Sequence, residues 1–272
     1  MAITASDVNK LRQQTGAGMM DCKKALEETN GDFEQAVDFL RKKGAKVAAN
    51  RADRDAKEGV VLAKTNSKNG ILISVNCETD FVAKNEDFIK FADTVATIAL
   101  EKKPATIDAL KALPYNSDIT IADKFMEQIG KIGEKIDIGY FNVVDAEKVV
   151  AYNHPGNRLA VVVGFNKDID DEAAKNVAMQ TAAMAPVAVD KDDVDASTLE
   201  RELDIAREQI RAEGKPEDMV EKIAAGKSNK FYKESTLLNQ EYIKDNKLSI
   251  RQYLQSINKE LTVTGFKRFS LS

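Results

Sequence analysis

Tryptophan is absent from this chain, histidine occurs once, at position 154, and cysteine twice, at positions 22 and 77. A single histidine cannot complete the usual four-ligand Cys/His zinc site, and any imidazole catalysis is confined to His154. The two cysteines fall in segments that read as different domains, so no disulfide framework is expected. No run approaches the roughly 18 consecutive apolar residues of a membrane span. The stretch from Met1 to Asp7 has no basic region followed by an apolar one, so no secretory leader is read and a cytoplasmic protein without a membrane partner is expected. An excess of positive charge is missing as well. The 40 Lys and Arg against 44 Asp and Glu leave a formal net charge of -4, without the cationic field that holds nucleic acid phosphates, so direct nucleic acid binding is not expected.

What is present suits a charge-laced globular protein: 43% of the 272 residues are apolar and 31% charged. At roughly 150 residues per domain this length suggests about two domains. Residues 1–50 read as three short helices and the start of a linker. Val8 and Leu11 mark the first helix; Met19, Cys22, Ala25 and Leu26 recur at helical spacing in the second. Phe33, Ala36, Val37 and Leu40 form the stripe of the third, with Asp32 and Gln35 as a capping box. Periodicity fades between Arg41 and Glu58, whose second half reads as linker.

From Gly59 the period changes to two. Val60 to Lys64 and Ile71 to Cys77 read as a hairpin about Asn66 to Gly70, followed by a helix through Phe88, Phe91, Ala92 and Val95, and a strand from Ile136 to Val144. The unit recurs: strands Val149 to Asn153 and Leu159 to Phe165 flank a Pro155-Gly156 type II turn, and a helix carries Ala173, Val177 and Thr181. The chain is therefore read as α+β, with core subdomains at 56–145 and 146–272, each burying a helix on one face of a small antiparallel sheet. A helical hairpin is read at 196–232, its first helix capped by Ser197, and a last strand runs from Leu261 to Leu271.

Three motif-like stretches fail on inspection. Gly16-Ala17-Gly18-Met19-Met20-Asp21 has Asp at the third glycine position of a dinucleotide fingerprint and no preceding strand. Glu221 to Ser228 ends like a phosphate-binding loop but lacks its first glycine. Asp190, Asp192 and Asp193 lack the glycine and final glutamate of a calcium loop. No Ser, Cys or carboxylate pair sits in a recognisable catalytic context, so neither an enzyme nor a cofactor or metal site is expected.

The most informative segment is Cys77-Glu78-Thr79-Asp80-Phe81-Val82-Ala83-Lys84-Asn85. If a helix starts at Thr79, Phe81 lies seven residues before Phe88 on the buried stripe. If it starts at Asn85, Asp80 and Phe81 occupy a strand-to-helix connection, where an aromatic beside a carboxylate projects into a partner. Position alone leaves both open.

This segment and Thr15-Gly16-Ala17-Gly18-Met19-Met20-Asp21-Cys22-Lys23-Lys24-Ala25-Leu26 closely resemble bacterial elongation factor Ts, a family of nucleotide exchange factors for the GTPase elongation factor Tu. The resemblance implies an N-terminal ubiquitin-associated-like domain and two related α+β subdomains, the second carrying the hairpin. It implies that Thr79, Asp80, Phe81 and Val82 wedge beside the magnesium site of the GTPase, Phe81 entering an apolar pocket. Met19, Met20 and Lys23 are implied as a second contact and His154 as a third, with the core or the hairpin as a candidate surface for dimerisation. Two other readings rest on less: a ubiquitin-associated-like adaptor leaves Thr79 to Val82 unexplained, and RNA association would rely on the charges between Arg41 and Arg54.

Overall fold

Helix α1 (Ala5–Thr15) begins where Thr4 and Asp7 form a capping box and ends at Gly16, whose φ of 70° suits a residue without Cβ. These coordinates are a computed structural model that describes residues 3–271. Helix α2 (Met19–Glu28) follows, and α3 (Phe33–Asn50) starts from Asp32, whose carboxylate accepts the Gln35 N–H. The three helices close on a small core of Val8, Leu11, Cys22, Ala25, Leu26, Ala36 and Leu40.

Helix α3 is longer than its sequence pattern suggested, running through the basic stretch to Asn50 and confining the linker to residues 51–57. Its final turns pack with glycine. A Cβ on Gly44 would lie 2.2 Å from the Met126 carbonyl oxygen, and one on Gly130 would lie 3.2 Å from the Gly44 Cα. Small residues that let two backbones touch leave no apolar periodicity behind, so the stripe was invisible beyond Leu40.

Strands β1 (Glu58–Thr65) and β2 (Asn69–Cys77) form an antiparallel hairpin. Helices α4 (Asp80–Ala83), α5 (Glu86–Lys102), α6 (Ile107–Lys111) and α7 (Ile121–Ile132) come next, and β3 (Asp137–Asp145) returns to the far edge of β2. Gly44 belongs to the α3 contact with α7. A second sheet starts with β4 (Lys148–Asn153) and β5 (Leu159–Phe165), followed by α8 (Asp171–Met184). The His154 to Asn157 turn between them is of type II: Gly156 has φ 89° and the Asn157 N–H donates to the His154 carbonyl at 3.1 Å.

Helices α9 (Ala196–Ala212) and α10 (Glu217–Ser235) form a hairpin about Ala206, Ile210, Val220 and Ala224. The cap of α9 is Asp195, not Ser197: Ser197 is already the second residue of the helix, and its hydroxyl donates back to the Asp195 carboxylate. Gly226 to Ser228 lies inside α10, a setting in which no phosphate loop forms. The short strands β6 (Glu241–Tyr242) and β7 (Asp245–Ser249), unmarked in the sequence reading, precede α11 (Ile250–Ile257) and β8 (Val263–Ser270), which completes the order β4-β5-β8.

The layers follow from side-chain alternation. Val60, Leu62, Ile71, Ile73 and Val75 pack under Phe88, Phe91 and Val95 of α5, while Val161, Val163 and Phe165 pack under Ala174 and Val177 of α8. The alternate residues Val61, Ala63 and Leu72 meet Val149, Ala160 and Val162 in a third cluster, so the two sheets are stacked and each is buried on both faces. Each sheet thus carries the expected helix on one face, and the second sheet covers the other. Among the described residues no helix is long and apolar enough to cross a membrane.

The glycine contact gives a paired test. Gly44→Ala should lower unfolding stability by about 1–3 kcal/mol through overpacking. Gly226→Ala, in mid-helix with open space around its Cβ, should raise it by about 0.5–1 kcal/mol. Urea denaturation of both variants reads the opposite signs.

Candidate protein-binding surface

The chain leaves β2 at Cys77 and makes one helical turn before α5. Thr79 caps that turn, its hydroxyl accepting the Val82 N–H at 3.4 Å. Lys84 closes it, and Asn85 starts a second helix by accepting the Asp87 and Phe88 N–H groups at 2.9 and 3.3 Å. Both starts seen as alternatives in the sequence are therefore used. The break between them takes Phe81 off the stripe that buries Phe88, leaving Phe81 83% exposed while Val82 packs on the core.

Sequence reading gave no role to the groups that hold this turn. Helix α7 ends at Gly133, in the left-handed region with φ 80°, and the next residue, Glu134, points its carboxylate at the turn. Its Oε2 accepts the Glu78 and Thr79 N–H groups, both at 3.1 Å, and its Oε1 accepts the Thr79 hydroxyl proton at 2.6 Å. The Glu78 carboxylate answers by accepting the Lys135 N–H at 2.6 Å and the Arg51 guanidinium at 2.8 and 2.9 Å. Lys135 Nζ donates to the Ala52 and Arg54 carbonyls at 2.7 and 3.0 Å, tying the assembly to the segment after α3. The Gly133 stop signal marks a helix end, but nothing local shows that Glu134 faces a residue 55 positions away.

Electrostatics agree with this geometry. Partial burial opposes the charge on Glu78, but the Lys135 N–H and the Arg51 guanidinium outweigh it and hold its pKa below the usual value. The hydrogen bond from Lys84, at 2.6 Å, holds the Asp80 carboxyl low. Cys77 is fully buried and donates to the Thr79 carbonyl at 3.2 Å. Burial first, then the Glu134 and Glu58 charges, push its thiol up to about 12, which makes it an inert packing group.

The other site residues named from the sequence lie on two further turns. Met19 and Met20 open α2 and are 58% and 74% exposed, and Lys23 forms a 3.7 Å ion pair with Glu27 on the same helix. Lys131 joins this region to the first: its Nζ lies 3.5 Å from where a Gly16 Cβ would stand and 3.6 Å from Asp87, and it lines a groove with Phe81, Val82 and Ile132. His154 is exposed on the β4–β5 turn, its Nδ1 3.0 Å from the Tyr152 hydroxyl. Arg158, just beyond, pairs with Glu58, and Glu58 faces Cys77 across the β1–β2 ladder. The Phe81 turn and the β4–β5 turn thus lie at one end of the stacked sheets, and Lys131 joins the first of them to the loop before α2. Among the described residues no group of three or more His, Cys, Asp or Glu side chains is arranged to hold a metal ion.

An exposed phenylalanine on a pinned turn and two exposed methionines opening α2 make a candidate protein-binding surface. The sequence profile of the family described as Elongation factor TS matches residues 78–272, beginning at the Glu78 clasp. The chain belongs to the elongation factor Ts family. It is 53% identical over 273 residues to Elongation factor Ts of Christiangramia forsetii, covering 99% of this chain and 98% of that protein. It is 49% identical over 272 residues to the Porphyromonas gingivalis protein of that name, covering 100% and 99%. The Chloroherpeton thalassium member is 45% identical over 283 residues, covering 99% and 98%. Likeness to elongation factor Ts proteins therefore extends through the N-terminal helices that the family profile does not span.

The clasp has a defined pH response. With the Glu78 pKa held below the unfolded value of about 4.3, its stabilisation is complete above that value and is lost as the pH falls through the lower folded one. Amide exchange at Lys135, whose N–H donates to Glu78, should show, after correction for intrinsic rates, flat protection from about pH 5 to 8 and a fall only once the pH is below the unfolded value.

Proposed function

We propose that this chain is a guanine nucleotide exchange factor for elongation factor Tu, and that it acts by binding rather than by covalent catalysis. The observation that carries the reading is Phe81, 83% exposed at the tip of a turn whose backbone is fixed by hydrogen bonds. A large apolar side chain held out rigidly loses little conformational freedom on docking, which is what a wedge requires. Its target would be the region beside the nucleotide-bound magnesium of the GTPase. Mg²⁺ demands near-octahedral coordination, so a small displacement of its ligands weakens the grip on the nucleotide.

In this reading Thr79 holds the turn, Asp80 restrains it through Lys84 and presents a carboxylate, Phe81 enters the apolar pocket and Val82 anchors the far side. The helices of residues 5–50, a ubiquitin-associated-like domain, add contacts from Met19, Met20 and Lys23, and His154 touches another part of the GTPase. Exchange is then reciprocal linkage: a factor that lowers nucleotide affinity is itself bound less tightly by the nucleotide-loaded GTPase, so incoming GTP expels it. A 10⁴-fold acceleration corresponds to about 5.4 kcal/mol, whereas burying one phenylalanine contributes roughly 1.5–3 kcal/mol. The wedge therefore acts together with the other two contacts.

Release of a fluorescent GDP analogue from elongation factor Tu tests this directly. The wild-type chain should accelerate release, and Phe81→Ala should reduce the acceleration about 10- to 100-fold while the two proteins still bind. No acceleration by the wild type would overturn the function; a Phe81→Ala variant as fast as wild type would overturn the wedge.

A further inference from the structure

We propose that Glu134 is the positioning residue for Phe81, a role that rests on the reading of Phe81 as the wedge. Helix α4 has four residues, too few to persist unaided, and Phe81 itself is mostly in solvent. Its direction is therefore set by the backbone of the turn, which Val82 and Ala83 seat on the core and which residues 78 and 79 anchor at its start. The Glu134 carboxylate holds that backbone through both of its oxygens: two N–H groups on Oε2 and the Thr79 hydroxyl on Oε1. A threonine hydroxyl has one proton. Because that proton is directed to the Glu134 carboxyl oxygen, the hydroxyl's lone pairs are left facing the Val82 N–H, which is the cap that forms the turn.

The contact is reciprocal. Glu134 takes the backbone N–H groups of residues 78 and 79, and Glu78 takes the N–H of residue 135. Two loops that each grip the other's backbone move as one body. Arg51 and Lys135 Nζ extend that body to the end of α3, whose own helical unit carries Met19 and Met20. The spacing between wedge and methionines is thus set before the partner arrives. Charge-assisted hydrogen bonds to backbone N–H groups are well suited to this, being short, directional and stronger than neutral ones.

The experiment is a double-mutant cycle on GDP release with the full chain. Glu134→Ala should lower the second-order exchange rate about tenfold, or about 1.4 kcal/mol, and Glu134→Gln, which keeps one acceptor, about threefold. In the Phe81→Ala background Glu134→Ala should cost less than about twofold more, because a positioning residue has nothing left to position. An unaffected Glu134→Ala variant, or a further tenfold loss in the Phe81→Ala background, would overturn the proposal. Should Glu134→Ala fail to fold, Glu134→Gln carries the same comparison.

A second readout needs no partner. The chain contains no tryptophan, so Phe81→Trp places a lone indole at the tip, excited selectively at wavelengths beyond tyrosine absorption. In time-resolved anisotropy, adding Glu134→Ala should roughly double the amplitude of fast local motion at that position. An unchanged decay would overturn the positioning role even if the wild-type chain accelerates exchange. Absence of acceleration by the wild type, with the anisotropy change present, would instead place the failure in the functional reading.

Discussion

Two small sheets share one interface, and the placement of every exposed contact depends on it. Val61, Ala63 and Leu72 of the first sheet meet Val149, Ala160 and Val162 of the second, and Tyr140 stacks on Phe269 with ring centroids 4.4 Å apart. Gly70 shows how tightly they are stacked, since a Cβ there would lie 2.5 Å from Val162 and 2.7 Å from Val149. With both faces of each sheet buried, a one-residue slip of any central strand would exchange helix-facing and sheet-facing side chains, so the register is strongly specified. Polar links reinforce it at the edge: the Asn153 amide pairs with the backbone of Ala63, and the Val61 N–H donates to the Asn157 carbonyl at 2.7 Å. That register brings the end of β2 and the β4–β5 turn to the same end of the stack.

Onto this frame the molecule adds rigidity where it exposes apolar surface. Phe81 and the methionines of α2 would be liabilities on flexible loops, because a mobile aromatic binds weakly and aggregates readily. Each is instead borne on a fixed backbone. The turn at 79–83 is held from behind by Glu134, and α2 is seated on the Cys22, Ala25 and Leu26 core. The Gly44 and Gly130 contact docks α3 directly on α7, whose end supplies Glu134. A single path of packed backbone therefore runs from the first three helices to the turn that carries Phe81.

Most helices and strands were legible from short-range pattern. Asp32 caps where its spacing to Gln35 suggested, and the Pro155-Gly156 turn has the type that those residues dictate. The misreadings share a cause. The end of α3 was hidden because its packing uses glycine and alanine, and the cap of α9 was read at Ser197 although Asp195, two residues earlier, is an equally suitable short polar residue. The stacking of the sheets was not read either, although the unbroken apolar run from Val60 to Ala63 is what two buried faces require.

The sequence alone determined what depends on neighbours a few residues apart: capping, turn type, alternation, and the Thr15 to Leu26 and Cys77 to Lys84 runs that carry the family resemblance. It left the exposure of Phe81 open, since either helix start was compatible with the local spacing. Tertiary structure decided that point, by using both starts and breaking the helix between them. It also supplied Glu134, Arg51 and Lys135, whose roles come from contacts between segments tens of residues apart. A hydrogen bond across such a separation leaves no periodic trace, because its partners are brought together only by the closure of the sheets and the docking of α3 on α7.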